Sequence, residues 1–185
     1  MPYSLTDMGL YFFLYSGFGW LFESVYCSFT AMEFVNRGFL YGPLCPIYGV
    51  GALLMFSVLL PIKRRLRRKT VEVAVMYLSG VVLATALEYA TSLAMEWLFD
   101  ARWWDYSMFA FNINGRVCLW VSLLWGFFAL LFVYAIQPVF EKIVARLHRR
   151  PKLAQAVFAV GMALLAVDLI ASGTTAALIG NRLEP

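Results

Sequence analysis

VCLWVSLLWGFFALLFVYAIQPVF, residues 117–140, carries no charged side chain from end to end. A helix needs roughly 20 mainly apolar residues to cross about 30 Å of hydrocarbon, and this stretch has that length. The period-two alternation of an outer-membrane barrel strand is missing from it. In lipid the backbone must satisfy its own polar groups, so the stretch reads as a spanning helix. Working outward, comparable stretches run over Met8 to Thr30, Cys45 to Ile62, Val71 to Leu98 and Leu153 to Thr174. The whole chain of 185 residues is 62% hydrophobic, has a mean hydropathy of +0.74 and is only 14% charged. No soluble core of this size hides so much apolar surface. The expectation is an all-α polytopic membrane bundle of about five transmembrane helices, with residues 1–185 forming a single integral membrane domain.

The net charge of +4 is arranged for topology rather than for nucleic acid. Lys63-Arg64-Arg65-Leu66-Arg67-Arg68-Lys69 follows the second span, and Lys142, Arg146, Arg149, Arg150 and Lys152 lie between the fourth and fifth. Both segments should be cytoplasmic loops, which puts the N-terminus inside and the C-terminus outside. The first basic run also suits anionic lipid or a cytoplasmic protein. His148 falls in the second basic segment and is expected to be solvated there. The first span lacks a positive leader and a small-residue cleavage site, so it is expected to be retained. Cys27, Cys45 and Cys118 form no CxxC pair; Cys45 and Cys118 fall at outer helix ends, where an oxidising compartment allows a disulfide if geometry permits.

The outer segments carry the chemistry. Asn36 to Gly49 mixes Gly and Pro with aromatics, and Arg102-Trp103-Trp104-Asp105-Tyr106-Ser107 precedes Asn112-Ile113-Asn114-Gly115-Arg116. Rings beside charges suit the membrane-water boundary. Glu23, Glu88, Glu96 and Asp168 lie inside spans or near their outer ends. Ionisable groups in hydrocarbon cost a few kcal/mol each, so they face the interior, find partners and often mark a functional pathway. Helical spacing places Ser16, Gly19, Glu23, Tyr26 and Thr30 on one face, and Thr85, Glu88, Ser92 and Glu96 on another. Arg37, Arg102 and Arg116 are the available cations. Two readings stand: Glu23, Glu88, Glu96 and Asp105 with Arg37 and Arg116 form a polar chamber open to the outside, or they are ion pairs that only fix packing. Tyr41 and Asn114 complete the candidate solute-binding set. Gly17, Gly19, Gly49, Gly51, Ala159 and Ala163 suit close helix packing.

Gly19-Trp20 with Glu23, the run Asn36-Arg37-Gly38-Phe39-Leu40-Tyr41-Gly42-Pro43 with Cys45-Pro46-Ile47-Tyr48-Gly49, then Glu96, Trp104 to Ser107 and Asn112 to Cys118 resemble the type IV ABC-transporter permease family, small CmpB-like bacterial membrane proteins. The resemblance covers roughly Leu10 to Tyr134 and leaves the fifth helix out. It implies a multi-pass permease component in a bacterial cytoplasmic membrane.

The chain holds no GxxxxGK[ST] phosphate loop, so ATP hydrolysis by that route needs a separate ATP-binding subunit. A second copy of the chain and the lipid bilayer are the other expected partners, and nothing implies a cofactor. Transport of a small polar or ionic solute is the first function class. A membrane-embedded enzyme on a lipid or isoprenoid-linked substrate is the second, with Glu23, Glu88 or Asp105 as acid or base and arginines on phosphate; it lacks a recognisable nucleophile or metal cluster. A non-catalytic assembly subunit is the third.

Overall fold

The computed structural model describes residues 4–100, 102 and 104–179. It is an all-α membrane bundle, and the described chain forms two compact units: residues 4–53 with 140–179, and residues 54–139. The helices are α1 (Leu5–Ala31), α2 (Pro46–Arg65), α3 (Lys69–Phe99), α4 (Leu119–Leu131), α5 (Gln137–His148) and α6 (Pro151–Ile179). A π-helical turn, Phe132–Ile136, joins α4 to α5. Among the described residues four stretches are long and apolar enough to cross a membrane: Pro46–Arg65, Lys69–Phe99, Leu119–His148 and Pro151–Leu178. Large apolar side chains such as Leu78, Val82, Phe127, Leu164 and Ile170 stand exposed along them, as a lipid-facing surface requires. α1 is as long, but its tyrosines, glycines, serines and Glu23 dilute its hydropathy, and it is not among the four.

Helix ends differ from the sequence expectation in instructive ways. Val117 and Cys118, expected to open the fourth span, pair instead as strand β2 with β1 (Asn112–Ile113). The Asn114-Gly115 turn folds them back before the helix starts at Leu119. At the other end the helix does not stop at Phe140 but runs to His148, so Lys142 and Arg146 lie on α5 rather than in a loop. His148 closes that helix, and its Nε2 pairs with the Asp7 carboxylate in the first turn of α1, where Asp7 also forms a capping box with Ser4. His148 is exposed, as expected, but it closes a helix rather than lying in a loop, and it has an acidic partner. The π-helical turn has a local cause as well. Pro138 has no N–H to give the carbonyl of Tyr134, and the ladder slips so that Gln137 N–H donates to the Phe132 carbonyl, five residues back.

In the first unit, α1 and α6 pack through reciprocal Gly and Phe pairs. Phe158 of α6 lies over Gly9, where a Cβ would sit 2.1 Å from its ring, and Phe13 of α1 lies over Gly161, where the gap would be 2.7 Å. The start of α2 meets α1 in the same manner: Tyr48 fills the space over Gly19, while Ser16 and Phe12 fill the space over Gly49. Gly19 and Gly49 thus serve the packing role expected of them; the Gly9 and Gly161 contacts carried no sequence signal beyond composition.

The second unit is built on the α3–α4 crossing. Gly80 and Gly126 let the backbones approach, with Ala129 against Gly80 and Tyr77 and Val81 against Gly126. Tyr77 stacks edge-on against Phe127 at 5.0 Å and donates its hydroxyl to the Leu123 carbonyl at 3.0 Å. Leu59, Met76 and Val133 form the buried centre, ringed by Met55, Ile62, Val75, Leu83 and Leu130.

A methyl at Gly80 would lie 2.2 Å from the Ala129 Cβ, which cannot rotate away. Gly80→Ala is therefore expected to lower stability in detergent by about 1–3 kcal/mol. Gly173→Ala, at a position with nothing within 4 Å, is expected to be neutral or to stabilise by up to about 1 kcal/mol. Melting of the two purified variants against the parent reads the contrast.

Candidate functional site

Each unit holds a polar cluster where a loop lies against the helix ends. In the first unit α1 ends at Met32, whose φ of 58° turns the chain out of the helix. The loop that follows is bound to α1 residue by residue. Ser28 Oγ accepts from Val35 N at 2.8 Å, Ser24 Oγ from Arg37 N at 3.2 Å, and the Ser16 carbonyl from Cys45 N at 2.9 Å. Trp20 Nε1 donates to Asn36 Oδ1 at 2.6 Å, and Asn36 Nδ2 donates to the Tyr41 carbonyl at 3.0 Å. Gly38 sits at φ +105° against the Cys45 sulfur, a backbone state that favours glycine.

Asp168 of α6 completes this strap. Its Oδ1 accepts from Tyr41 N at 2.9 Å and from Ser172 Oγ at 3.0 Å, while Oδ2 accepts from Gly42 N at 2.8 Å. The sequence flagged Asp168 only as a buried acid; the two amides it holds come from a loop 126 and 127 residues away, which no local spacing reveals. Tyr41 also pairs its hydroxyl with Thr175 Oγ1 at 2.9 Å.

Glu23 accepts from Tyr48 OH at 2.6 Å, with the Cys45 thiol 3.8 Å from its other oxygen. The expected arginine partner is absent: the half-buried Arg37 makes no ion pair among the described residues. The expected α1 stripe also ends early, since Tyr26 and Thr30 are exposed, and Thr30 Oγ1 bonds the Tyr26 carbonyl of its own helix. The loop lies over Ser24 and Ser28 instead.

In the second unit the expected α3 face holds. Glu88 and Ser92 are buried, and Glu96 lies on the same face near the helix end. Glu96 bridges two cations: Arg102 Nη2 and Nε lie 2.9 and 3.0 Å from its Oε1, and Arg116 pairs with its Oε2. Arg116 is buried, donates to Ser92 Oγ at 3.1 Å, and lies 5.9 Å from the centre of the Tyr89 ring. The expected pairing of arginines with acids near span ends is realised here for Arg102 and Arg116 with the half-buried Glu96.

Arg116 owes its place to the hairpin. Asn114 and Gly115 have φ of 54° and 69°, the two central positive values of a type I′ turn, closed by Arg116 N to the Ile113 carbonyl at 3.0 Å. Asn114 Nδ2 donates to Tyr89 OH at 2.9 Å, and Trp104 Nε1 donates to the Arg116 carbonyl at 2.8 Å. Trp103, read with Trp104 as an interfacial pair, lies outside the described residues.

Asp105 is exposed and does not meet an arginine directly; its Oδ1 accepts from Ser107 Oγ at 2.5 Å and Ser107 N at 2.8 Å. The Ser107 hydroxyl and amide hold its carboxyl below the usual range. Its contribution to the loop is therefore complete above the ordinary Asp value and is lost only as pH falls through the lower folded value.

Glu88 differs from all of these. It is 6% exposed within α3, and its partners are Tyr106 OH at 3.0 Å and Trp125 Nε1 at 3.2 Å, both neutral donors. No basic side chain pairs with it among the described residues. All three cysteines are free thiols, so Cys45 and Cys118 are not joined. No metal-binding group of His, Cys, Asp and Glu forms among the described residues.

A Cβ on Gly115 would lie 2.5 Å from Ser107 Oγ and 2.7 Å from Asp105 Oδ1, at a φ that L side chains rarely adopt. Gly115→Ala is expected to destabilise the protein by about 1–3 kcal/mol and to release Arg116 from Glu96, whereas Asn114→Gly keeps the turn. Thermal melting in detergent separates the two.

With this geometry in place, a family model described as "Putative ABC-transporter type IV" matches residues 10–173. The match runs past Tyr134 and through most of α6, further than the sequence resemblance reached. Asp168, which ties α6 to the Tyr41–Gly42 loop, lies inside it. Neither the curated proteins nor the solved structures contain a match to the chain.

Proposed function

The chain belongs to the Putative ABC-transporter type IV family, and from that premise we propose that it is a permease component that binds a small polar or ionic solute. The site faces the outside of a bacterial cytoplasmic membrane in a single integral membrane domain, 1–185. α1 is its fifth span, with the N-terminus inside and the C-terminus outside. Within the first unit the candidate solute contacts are Glu23, Arg37 and Tyr41, and within the second, taken by itself, they are Glu88, Glu96, Asp105, Asn114 and Arg116.

Glu88 is the observation that carries the reading. A carboxyl buried in a helix long and apolar enough to cross a membrane, with two neutral donors and no cation paired to it among the described residues, is costly to keep. Where only packing is needed, an apolar residue of like volume serves as well or better. Arg37 supports it from the first unit as a half-buried cation whose guanidinium has no acid partner among the described residues. Glu96, Arg102 and Arg116 satisfy one another and set the shape of the site, and Asp168 holds a loop. Energy comes from a separate ATP-binding subunit, since this chain has no phosphate loop.

Arg37→Ala and Glu88→Gln are each expected to insert in the membrane and melt within about 1 kcal/mol of the parent, yet to lose the solute that co-purifies with the parent in mild detergent. Mass spectrometry of the released small molecules reads the loss. Variants that retain the same solute at the same stoichiometry would sink the proposal.

A further inference from the structure

The α2–α3 corner, at the opposite ends of those helices from the loops described above, gathers cations that the proposed solute site does not use. Lys63 Nζ lies 4.5 Å and Lys69 Nζ 4.2 Å from the centre of the same Tyr134 ring. Beneath them the buried Glu72 accepts from Tyr134 OH at 2.6 Å and from Lys69 Nζ at 2.9 Å. Lys69 and Tyr134 both engage that carboxylate on Oε1. Arg64, Arg65, Arg67 and Arg68 stand exposed around the corner with no ion pair among the described residues.

Two ammonium groups held over one ring repel each other, and one shared carboxylate leaves the cluster positive. The ring is fixed in place: Tyr134 sits in the π-helical turn set by Pro138, with its hydroxyl tied to Glu72. This is a preorganised seat for an anion. Its depth identifies the anion's source. α2 ends at Arg65 and α3 begins at Lys69, both membrane-crossing helices, so the corner stands at headgroup level on whichever side of the bilayer it emerges. We propose that this corner binds the phosphate of an anionic phospholipid between Lys63 and Lys69, with the four arginines drawing further anionic headgroups around it.

The test is lipid titration of the purified full-length protein, read by native mass spectrometry and by melting temperature. Phosphatidylglycerol is expected to bind and raise the melting temperature, while phosphatidylcholine at equal concentration does not. Lys63→Gln with Lys69→Gln is expected to weaken phosphatidylglycerol binding roughly thirty-fold, about fivefold per cation. An unchanged melting temperature of the double lysine variant without added lipid guards against misreading a folding defect. Unchanged phosphatidylglycerol binding in the double lysine variant would overturn the proposal. Equal protection by inorganic phosphate would overturn the lipid assignment, and binding of poly-glutamate in place of phosphatidylglycerol would overturn it in favour of a protein partner.

Discussion

A polar group carried into the membrane boundary must find its partner within the chain, because hydrocarbon offers none. The two loops that leave α1 and α3 meet this demand by turning their backbones onto helix side chains. Ser24, Ser28 and Asp168 take the amides of the first loop, and Trp104 and Asn114 fasten the second. The loops are consequently ordered structures in which a few side chains are held at fixed places. Close helix packing makes this possible. Gly19 admits Tyr48 near enough to reach Glu23, and Gly80 and Gly126 bring α4 near enough for Trp125 to reach Glu88.

That constraint also sorts the carboxylates. Asp168 holds two amides and a serine, and Glu96 holds two arginines, so both are accounted for by the loops they fix. Glu72 is accounted for by Lys69 and Tyr134. Glu88 is left with two neutral donors in a buried place, and Arg37 is left half-buried with no ion pair among the described residues. Glu88 and Arg37 are thus groups whose burial no ion pair among the described residues offsets.

Much of this was legible before the structure. Uncharged stretches of spanning length dictate helices, and steps of three and four along α3 put Glu88, Ser92 and Glu96 on one face, where they are found. The pairing of loop arginines with acids near span ends followed from electrostatics and holds at the half-buried Glu96. The failures are long-range or local in kind. Asp168 meets Tyr41 and Gly42 across more than a hundred residues, so no spacing announces it. The α1 face past Glu23 was misjudged because the loop selected Ser24 and Ser28, and a serine looks alike whether it holds a loop or faces lipid. Pro138 was read inside an unbroken span and Asn114-Gly115 only as loop, so the disturbed ladder at Tyr134 and the turn that places Arg116 emerge from the structure alone.

The central claim, that this is the membrane component of a solute transporter powered from outside its own chain, is tested most directly by affinity purification from native membranes in mild detergent with mass spectrometry of the co-purifying proteins. The account predicts a stoichiometric ATP-binding subunit in the eluate. A preparation with no nucleotide-binding protein would contradict it, whether or not an anionic phospholipid is bound.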